Sequence, residues 1–545
     1  MPLDIKLTQS QINKYRCQGF WGDATLIDYW KLSVASFPEK IAIADNYERK
    51  FSYREIDEAA DKVAIFLKET DVECGDIVSV QLPGWFEFLI IYIACLKIGA
   101  VINPIITNFR AKELIYILNK CESKVLFMPS IFKKKNYLTM METITTKTPS
   151  LRKIVVVDKE ERLKKQLTLT AILNTPQSMP ACPECSANDV AAILFTSGTE
   201  GFPKGVMLTH NNIIASERSF CATFHLSFLD TILMPAPVAH AIGFHHGLTA
   251  AFMSGAKCVL QDIFCSEDML HLIEKEHCTV GMGSTPIVYD MLSSMIKKHY
   301  DISSLRFFLC GGSPIPRNTL RKALLMGFKL IGIYGSTESV PHTAAKLEDS
   351  IEKIVMTDGS PMPGIEVKVV DKNRIQVPFG VEGEEASRGP NVFVGYLKEP
   401  SLTNKMLDDD GWYYSGDLCK MDDDGYIRIT GRIKDVIIRG GENISSSEVE
   451  EILIQLSNVH EASVVAMPDS RLGEKSCAYV VLNDVKKGLS LSEVIDFFKS
   501  KQIATYKVPE RLEIVDQLPY TASSKVKKYL LKEDIKRKLR SRALK

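Results

Sequence analysis

A chain of 545 residues is too long for one small core and predicts two or three packed units. Hydrophobic residues make up 45% and charged residues 25%, a globular composition that excludes a disordered chain. The formal net charge is zero, so no overall field draws the protein to nucleic acid, and none is expected as a partner.

Residues 15–23 read as a loop rich in aromatic and turn residues, and residues 26–30 as the start of an amphipathic helix. From Phe51 to about Cys185, apolar runs such as 77–82, 125–128 and 154–157 alternate with helical periods at 53–70 and 111–121. That alternation is the α/β pattern. Residues 88–106 are the most membrane-like stretch, but Lys97, Asn103 and Pro104 interrupt it. Gly99 then marks a turn between a buried helix and a strand, so no transmembrane span is expected. Thirteen cysteines are scattered through the chain and no signal peptide opens it. A cytoplasmic protein without a disulfide framework is expected. Cys182-Pro-Glu-Cys185 is a lone C-x-x-C without a second pair, so no zinc site is expected.

The run Val190-Ala-Ala-Ile-Leu-Phe195 reads as a buried strand. It breaks into Thr196-Ser197-Gly198-Thr199-Glu200-Gly201-Phe-Pro-Lys204-Gly205. Glycines that accept positive φ bring N–H groups up to an anion, hydroxyls donate, and lysine adds a point charge. The spacing is not that of the nucleoside-triphosphatase P-loop, because Pro203 and Gly205 stand where glycine and Ser/Thr are needed. Helical periodicity follows at 211–224, then an apolar run through Pro235 and Pro237 to His240-Ala241-Ile242-Gly243. Residues 305–310 and 330–334 read as buried strands ending in Gly311-Gly312-Ser313 and in Gly335-Ser336-Thr337-Glu338. In doubly wound sheets, ligands bind beyond such carboxyl ends.

After Ser360 short alternating strands and Asp-Gly turns suggest a small β-rich subdomain. It is followed from residue 435 by a compact α+β unit with helices at 449–456 and 491–500 and strands at 462–467 and 477–482. From Lys525 to Lys545 ten Lys or Arg face only Glu533 and Asp534. This reads as a solvated helical tail, with contact to a CoA phosphate or a membrane surface as the alternative.

Five motifs in order resemble those of the acyl-adenylate-forming enzymes, over essentially the whole chain. They are the phosphate loop, Tyr334-Gly-Ser-Thr-Glu338, Tyr414-Ser-Gly-Asp417-Leu, Gly431-Arg432-Ile-Lys434-Asp-Val-Ile-Ile-Arg-Gly440-Gly441-Glu442-Asn443, and Lys525. Glu200 stands where the family usually has Thr, and Tyr520 and Ser524 replace its usual Arg and Gly before the lysine. The resemblance implies a large N-terminal adenylation domain, 1–431, with two doubly wound α/β subdomains plus the β-rich one. A hinge at 432–434 and a small mobile α+β domain, 435–545, would follow.

It also implies a two-step ligase using ATP, Mg2+ and CoA, in which a carboxylic acid becomes an acyl-adenylate and a thiol then displaces AMP. Residues 196–201 and Lys204 would hold the phosphates. Glu338, with Thr199, would bind the metal. Gly312 and Tyr334 to Thr337 would contact the nucleotide, and Asp417 and Arg432 the ribose. Lys525 is implied as the catalytic lysine, with Glu338, Thr196, Lys204 and His240 also catalytic. Lys434 matches the hinge position, and Gly440, Gly441 and Glu442 the loop used with CoA.

His240 to Gly243 and Gly311 to Ser313 would line the acyl pocket. Ala241 and Ile242 offer no partner to a ring hydroxyl, which would be costly to leave unpaired there, so an apolar acyl chain is expected. The nearest resemblance is to bacterial short- and medium-chain fatty-acyl-CoA synthetases. An aryl- or cyclohexane-carboxylate ligase, serving CoA or a carrier-protein thiol, is the main alternative, and a non-catalytic nucleotide or acyl sensor the other. The expected assembly is a monomer or homodimer.

Overall fold

The computed structural model describes residues 3–158, 166–175, 185–196, 203–313, 315–521 and 525–543. These divide into two compact units, 1–367 with 387–413, and 368–386 with 414–545.

The first unit is built on two largely parallel sheets. In the six-stranded sheet the order is Lys204–Thr209, Val190–Thr196, Val101–Pro104, Ile77–Val80, Val125–Pro129, Lys153–Val157. Only the Lys204–Thr209 pairing is antiparallel. These strands are almost continuously apolar because helices cover both faces of a parallel sheet. The helix Phe86–Ile98 shows this most clearly, with every residue from Glu87 to Ile98 buried. Its two charges survive burial by pairing: Lys97 Nζ lies 2.7 Å from Asp57 and 2.6 Å from Asp61, and Glu87 lies 2.9 Å from Arg49. Gly99 ends the helix at φ +71°, and the strand Val101–Pro104 follows. Among the described residues no helix is long and apolar enough to cross a membrane.

The nine-stranded sheet carries the topological feature that positions a site. Its parallel centre runs Leu330–Tyr334, Phe307–Cys310, Val280–Gly283, Thr231–Met234, Lys257–Leu260, Ile41–Asp45. The chain leaves Thr231–Met234 for its neighbour on one side and returns to the neighbour on the other. In such sheets ligands usually bind at this kind of reversal, which here falls at the carboxyl end of Thr231–Met234.

At the start of the chain the expected loop holds over residues 18–23, but its first three residues, 15–17, belong to a helix. Residues Gln9–Cys17 form a helix, begun by a capping box in which the Gln11 N–H donates to Thr8 Oγ1 (3.2 Å) and the Thr8 N–H to Gln11 Oε1 (2.9 Å). The reciprocal cap satisfies two amide donors that a polar segment would otherwise leave to solvent. Beyond it, the Tyr15 and Trp21 rings pack at 4.8 Å.

In the second unit the strands Glu366–Val370, Gly383–Arg388, Tyr413–Met421 and Ile427–Arg432 form one sheet. Contacts group residues 368–386 and 414–432 with the C-terminal residues, and Ser445 Oγ donates to Thr430 O at 2.5 Å. Residues 432–434 therefore lie inside this unit. A second sheet is organised on the long hairpin Val459–Asp469 and Gly473–Leu482. Its side chains alternate as period-two geometry requires. Val464 and Ala478 pack with the helices Ser446–Leu453 and Leu491–Ser500, while Val465, Cys477 and Tyr479 pack with Leu531 and Ile535 of the helix Lys528–Ala543. The basic tail is thus a docked helix. Lys528 pairs with Glu450 at 2.8 Å, and Lys538 with Glu513 at 2.7 Å and Asp534 at 2.8 Å.

Candidate active site

The glycine-rich loop is held at both ends by its hairpin. Thr196 and Lys204 face one another in register on the antiparallel pair. Ser197, Gly198, Thr199, Glu200 and Gly201 lie outside the described residues, as does Cys182. Behind the loop, Gly205 is packed so closely that a Cβ would fall 3.0 Å from Phe195 and 3.1 Å from Ile193.

The strand after the loop also pairs outward. Val206 bridges to Tyr396, and the Leu397 N–H donates to Gly205 O at 2.8 Å. This brings the Tyr396 ring beneath Lys204, whose Nζ stands 5.6 Å from the ring centroid. The Tyr396 hydroxyl donates to Glu338 Oε1 at 2.8 Å. Glu338 itself is only 8% exposed. Burial, then the adjacent Glu338 charge, pushes the Tyr396 hydroxyl far above its ordinary range, so it stays a proton donor. Lys204, Tyr396 and Glu338 therefore form one connected group in which a cation, a phenol and a carboxylate meet.

The residues leading to Glu338 form a tight turn. The Ser339 N–H donates to Ser336 Oγ at 3.2 Å, and a Cβ on Gly335 would sit 3.1 Å from Ser339 O. Gly335, Ser336 and Thr337 stay half-buried at the strand end. Tyr334 meets His342 in a T-shaped arrangement with ring centroids 4.5 Å apart.

At the reversal of the nine-stranded sheet, the Phe244 N–H donates to His240 O at 2.9 Å and the Ile242 N–H to His240 Nδ1 at 3.4 Å. Gly243 lies against the Pro237 carbonyl, where a Cβ would collide. Residues Ile242–Thr249 then form a π-helix, a geometry found mostly as short segments at functional sites. Ile242 Cδ1 would touch a Cβ on Gly312 at 3.6 Å, and a Cβ on Gly311 would fall 2.9 Å from Ile333 Cγ2. The expected pocket residues Ile242, Gly311 and Gly312 are thus brought together. Ser313 is turned to Thr285, with 3.0 Å between the hydroxyls.

In the second unit, Asp417 and Arg432 are opposite in register, and Arg432 Nε lies 2.7 Å from Asp417 Oδ1. Asp417 is 6% exposed while about half of the Arg432 side chain is in solvent. Lys434 occupies a single 3-10 turn, Ile433–Asp435. Gly440 and Gly441, at φ +58° and +94°, form the two-residue turn between Ile437–Arg439 and Glu442–Ile444. Two positive φ angles in a two-residue hairpin loop select glycine. Lys525 closes another turn, its carbonyl accepting from the Thr521 N–H at 2.7 Å and its N–H donating to Thr521 Oγ1 at 3.0 Å. Tyr520 bridges to Val526 beside it; Ser524 lies outside the described residues.

Two features were not expected. Tyr396 sits in an apolar run and reads as core; only the pairing onto Val206 turns its hydroxyl to Glu338. The other is a fully buried cluster on the π-helix. His246 Nδ1 lies 3.1 Å from Glu217 Oε2, His245 Nδ1 lies 3.5 Å from Oε1, and the His246 ring stacks on Phe220 at 4.2 Å. Burial opposes the Glu217 charge, yet the two facing imidazoles hold its carboxyl well below the usual range. Two adjacent histidines after the pocket wall were the available signal.

Two family descriptions match the chain, the AMP-binding enzyme over residues 30–397 and the AMP-binding enzyme C-terminal domain over 448–525. The chain belongs to the AMP-binding, acyl-adenylate-forming enzymes. This adenylate-forming enzyme is 49% identical over 539 residues to the medium-chain fatty-acid–CoA ligase of Escherichia coli, covering 99% of this chain and 95% of that one. It is 33% identical to enterobactin synthase component E of Escherichia coli, covering 95% and 96%. Among solved structures, ATP-bound MatB of Rhodopseudomonas palustris superposes with a TM-score of 0.85 at 28% identity, covering 94% of this chain and 99% of that one. The expected class, two doubly wound α/β sheets followed by a small α+β domain, agrees with these relatives.

Proposed function

We propose that this enzyme activates a medium-chain fatty acid through an acyl-adenylate and transfers the acyl group to CoA. The observation that carries the substrate reading is the 49% identity, over nearly the whole chain, to a medium-chain fatty-acid–CoA ligase. The apolar wall formed where Ile242 meets Gly312 supports it.

In the first half-reaction the substrate carboxylate attacks the α-phosphorus of ATP and pyrophosphate leaves. Lys204 and the loop that begins at Thr196 hold the departing phosphates. Lys525 neutralises the charge that gathers between the carboxylate and the α-phosphate. His240 guards the carboxylate entry, Tyr334 stacks on adenine, and Asp417 accepts the ribose hydroxyls with Arg432 beside it. In the second half-reaction the CoA sulfur attacks the acyl carbon, the bond to phosphate breaks, and AMP leaves. Gly440, Gly441 and Glu442 serve this step, and Lys434 is the pivot between the two arrangements of the C-terminal residues.

Mg2+ fits Glu338, a buried carboxylate with one oxygen engaged by Tyr396. A hard cation shared with phosphates needs only one or two protein carboxylates. When bound, it supplies charge neutralisation to those phosphates.

The test is pyrophosphate release from ATP with straight-chain acids from butyrate to stearate, plus benzoate and salicylate, each with and without CoA. A maximum among medium-chain acids, with thioester formed only when CoA is present, is expected. Activity confined to aryl acids, or arrest at the adenylate despite CoA, would establish the aryl-acid, carrier-thiol reading instead. No release with any acid would establish the sensor.

A further inference from the structure

Cys74 and Cys185 are 111 positions apart in the chain, yet their sulfurs stand 3.4 Å from one another. Cys74 lies in the turn that precedes the strand Ile77–Val80, and Cys185 precedes the strand Val190–Thr196. Those two strands flank Val101–Pro104 in the six-stranded sheet, so the topology itself draws the two connections to the same edge. Gly99 lies directly beneath the pair. A Cβ there would collide with Cys185 Sγ and fall 2.8 Å from Cys74 Sγ. The Gly75 N–H donates to Gly99 O at 2.9 Å, which pins the Cys74 turn over this gap.

Cys74 is exposed and Cys185 partly so, whereas Cys95, Cys121, Cys258, Cys278, Cys310, Cys419 and Cys477 are buried. Cys17 and Cys265 are also exposed and Cys221 partly so, and what distinguishes this pair is the 3.4 Å approach of two accessible sulfurs. Burial pushes the Cys278, Cys310 and Cys477 thiols up to about 12, where almost no thiolate forms. A disulfide needs sulfurs about 2.05 Å apart, so side-chain rotations that bring the two atoms closer by about 1.4 Å complete the bond.

We propose that Cys74 and Cys185 are an oxidant-sensitive dithiol that closes to an intramolecular disulfide when a small-molecule disulfide is present. The Cys74 thiolate attacks one sulfur of oxidised glutathione, the glutathione S–S bond breaks, and one glutathione thiol leaves. The Cys185 thiolate then attacks Cys74 Sγ, the mixed disulfide breaks, and the second glutathione thiol leaves. Both protein thiols lose their protons, two cysteines are oxidised, and one small disulfide is reduced to two thiols. The cross-link closes a loop of over a hundred residues and restricts the unfolded chain, so the oxidised protein melts at a higher temperature.

The test uses the full-length protein incubated with oxidised glutathione, quenched by alkylation and mapped by mass spectrometry without reduction. The expected product is a monomer lighter by two hydrogens, with the Cys74 and Cys185 peptides joined, and with a Tm that falls back on adding dithiothreitol. Cys74→Ser abolishes the joined peptide, Cys185→Ser stops at glutathione on Cys74, and Cys182→Ser leaves the product unchanged. Accumulation of glutathione on Cys74 in the wild-type chain, a bridge that uses Cys182, or a bridge between two chains would each overturn the proposal. These outcomes do not depend on which acid the enzyme activates.

Discussion

The two units handle their functional side chains in opposite ways. In the first, Glu338 is buried at a strand end and fixed by the Tyr396 hydroxyl, and Ile242 is wedged against Gly312 within a close-packed α/β core. In the second, Lys434 occupies one 3-10 turn, Gly440-Gly441 form a hairpin tip, and Lys525 closes a turn onto Thr521 beside the Tyr520–Val526 bridge. Under the proposed function, Glu338 meets the same phosphates in every cycle and gains from a preorganised, desolvated setting. The side chains proposed to serve two successive reactions gain from turns, whose opening costs little of the global stability. Changes in the first unit should therefore disturb folding and chemistry together, and changes in the second should disturb chemistry alone.

The largest expected effect sharpens that contrast. Lys525→Ala should slow acyl-adenylate formation by on the order of 10²–10³, as loss of a transition-state charge donor does, while the melting temperature stays unchanged. Single-turnover adenylation with thermal melting checks both halves; a large fall in Tm would show that Lys525 holds the unit together. Next, Lys434→Pro fixes φ at the residue proposed as the pivot between the half-reactions. A proline unsuited to one arrangement costs that arrangement at least about 1 kcal/mol, so thioester formation should fall roughly five- to tenfold or more while adenylation is spared. Equal loss in both steps would remove Lys434 as the pivot.

Tyr396→Phe addresses the first unit. It deletes a hydrogen bond to a buried carboxylate, and such bonds contribute about 1.5–3 kcal/mol. Both the unfolding midpoint in urea and the pyrophosphate release rate should fall. A drop in rate with no change in stability would place Tyr396 with the second unit's pattern and break the contrast.

Much of the architecture was legible because it rests on local signals. The buried helix and strand of residues 88–106 follow from continuous apolarity punctuated at Gly99. The strand ends at Gly311 and Gly335 follow from β-rich runs meeting glycine and hydroxyl residues. What escaped is non-local. Tyr396 acquires its partner only because residues 394–397 pair with the strand after the phosphate loop. Glu217 and His246 look like surface residues of separate helices until packing seals them together without solvent. The helix at Gln9–Cys17 escaped for a different reason: its polar sequence gives no hydrophobic period, and its start depends on one Thr8–Gln11 capping box.

The last expected effect, confined to acid pH, tests how far the first unit's burial reaches into its pH dependence. His210 is 4% exposed and begins the helix that follows the phosphate-loop hairpin, its Nδ1 accepting the Leu26 N–H at 3.3 Å. Burial, opposed weakly by Asp28, lowers its pKa from 6.5 to about 4. The folded protein thus keeps this imidazole neutral over a range in which the unfolded chain takes up a proton. The resulting stability is fully present above pH 6.5 and is lost progressively as pH falls from 6.5 to about 4, up to about 3 kcal/mol in all. His210→Asn keeps an acceptor for the Leu26 N–H but cannot titrate. The variant should therefore lose some stability at pH 7.5 and show a flatter decline between pH 6.5 and 4 than the wild type. Parallel curves for the two proteins across that window, measured by urea unfolding, would assign the acid sensitivity to other groups and leave His210 as a packing residue.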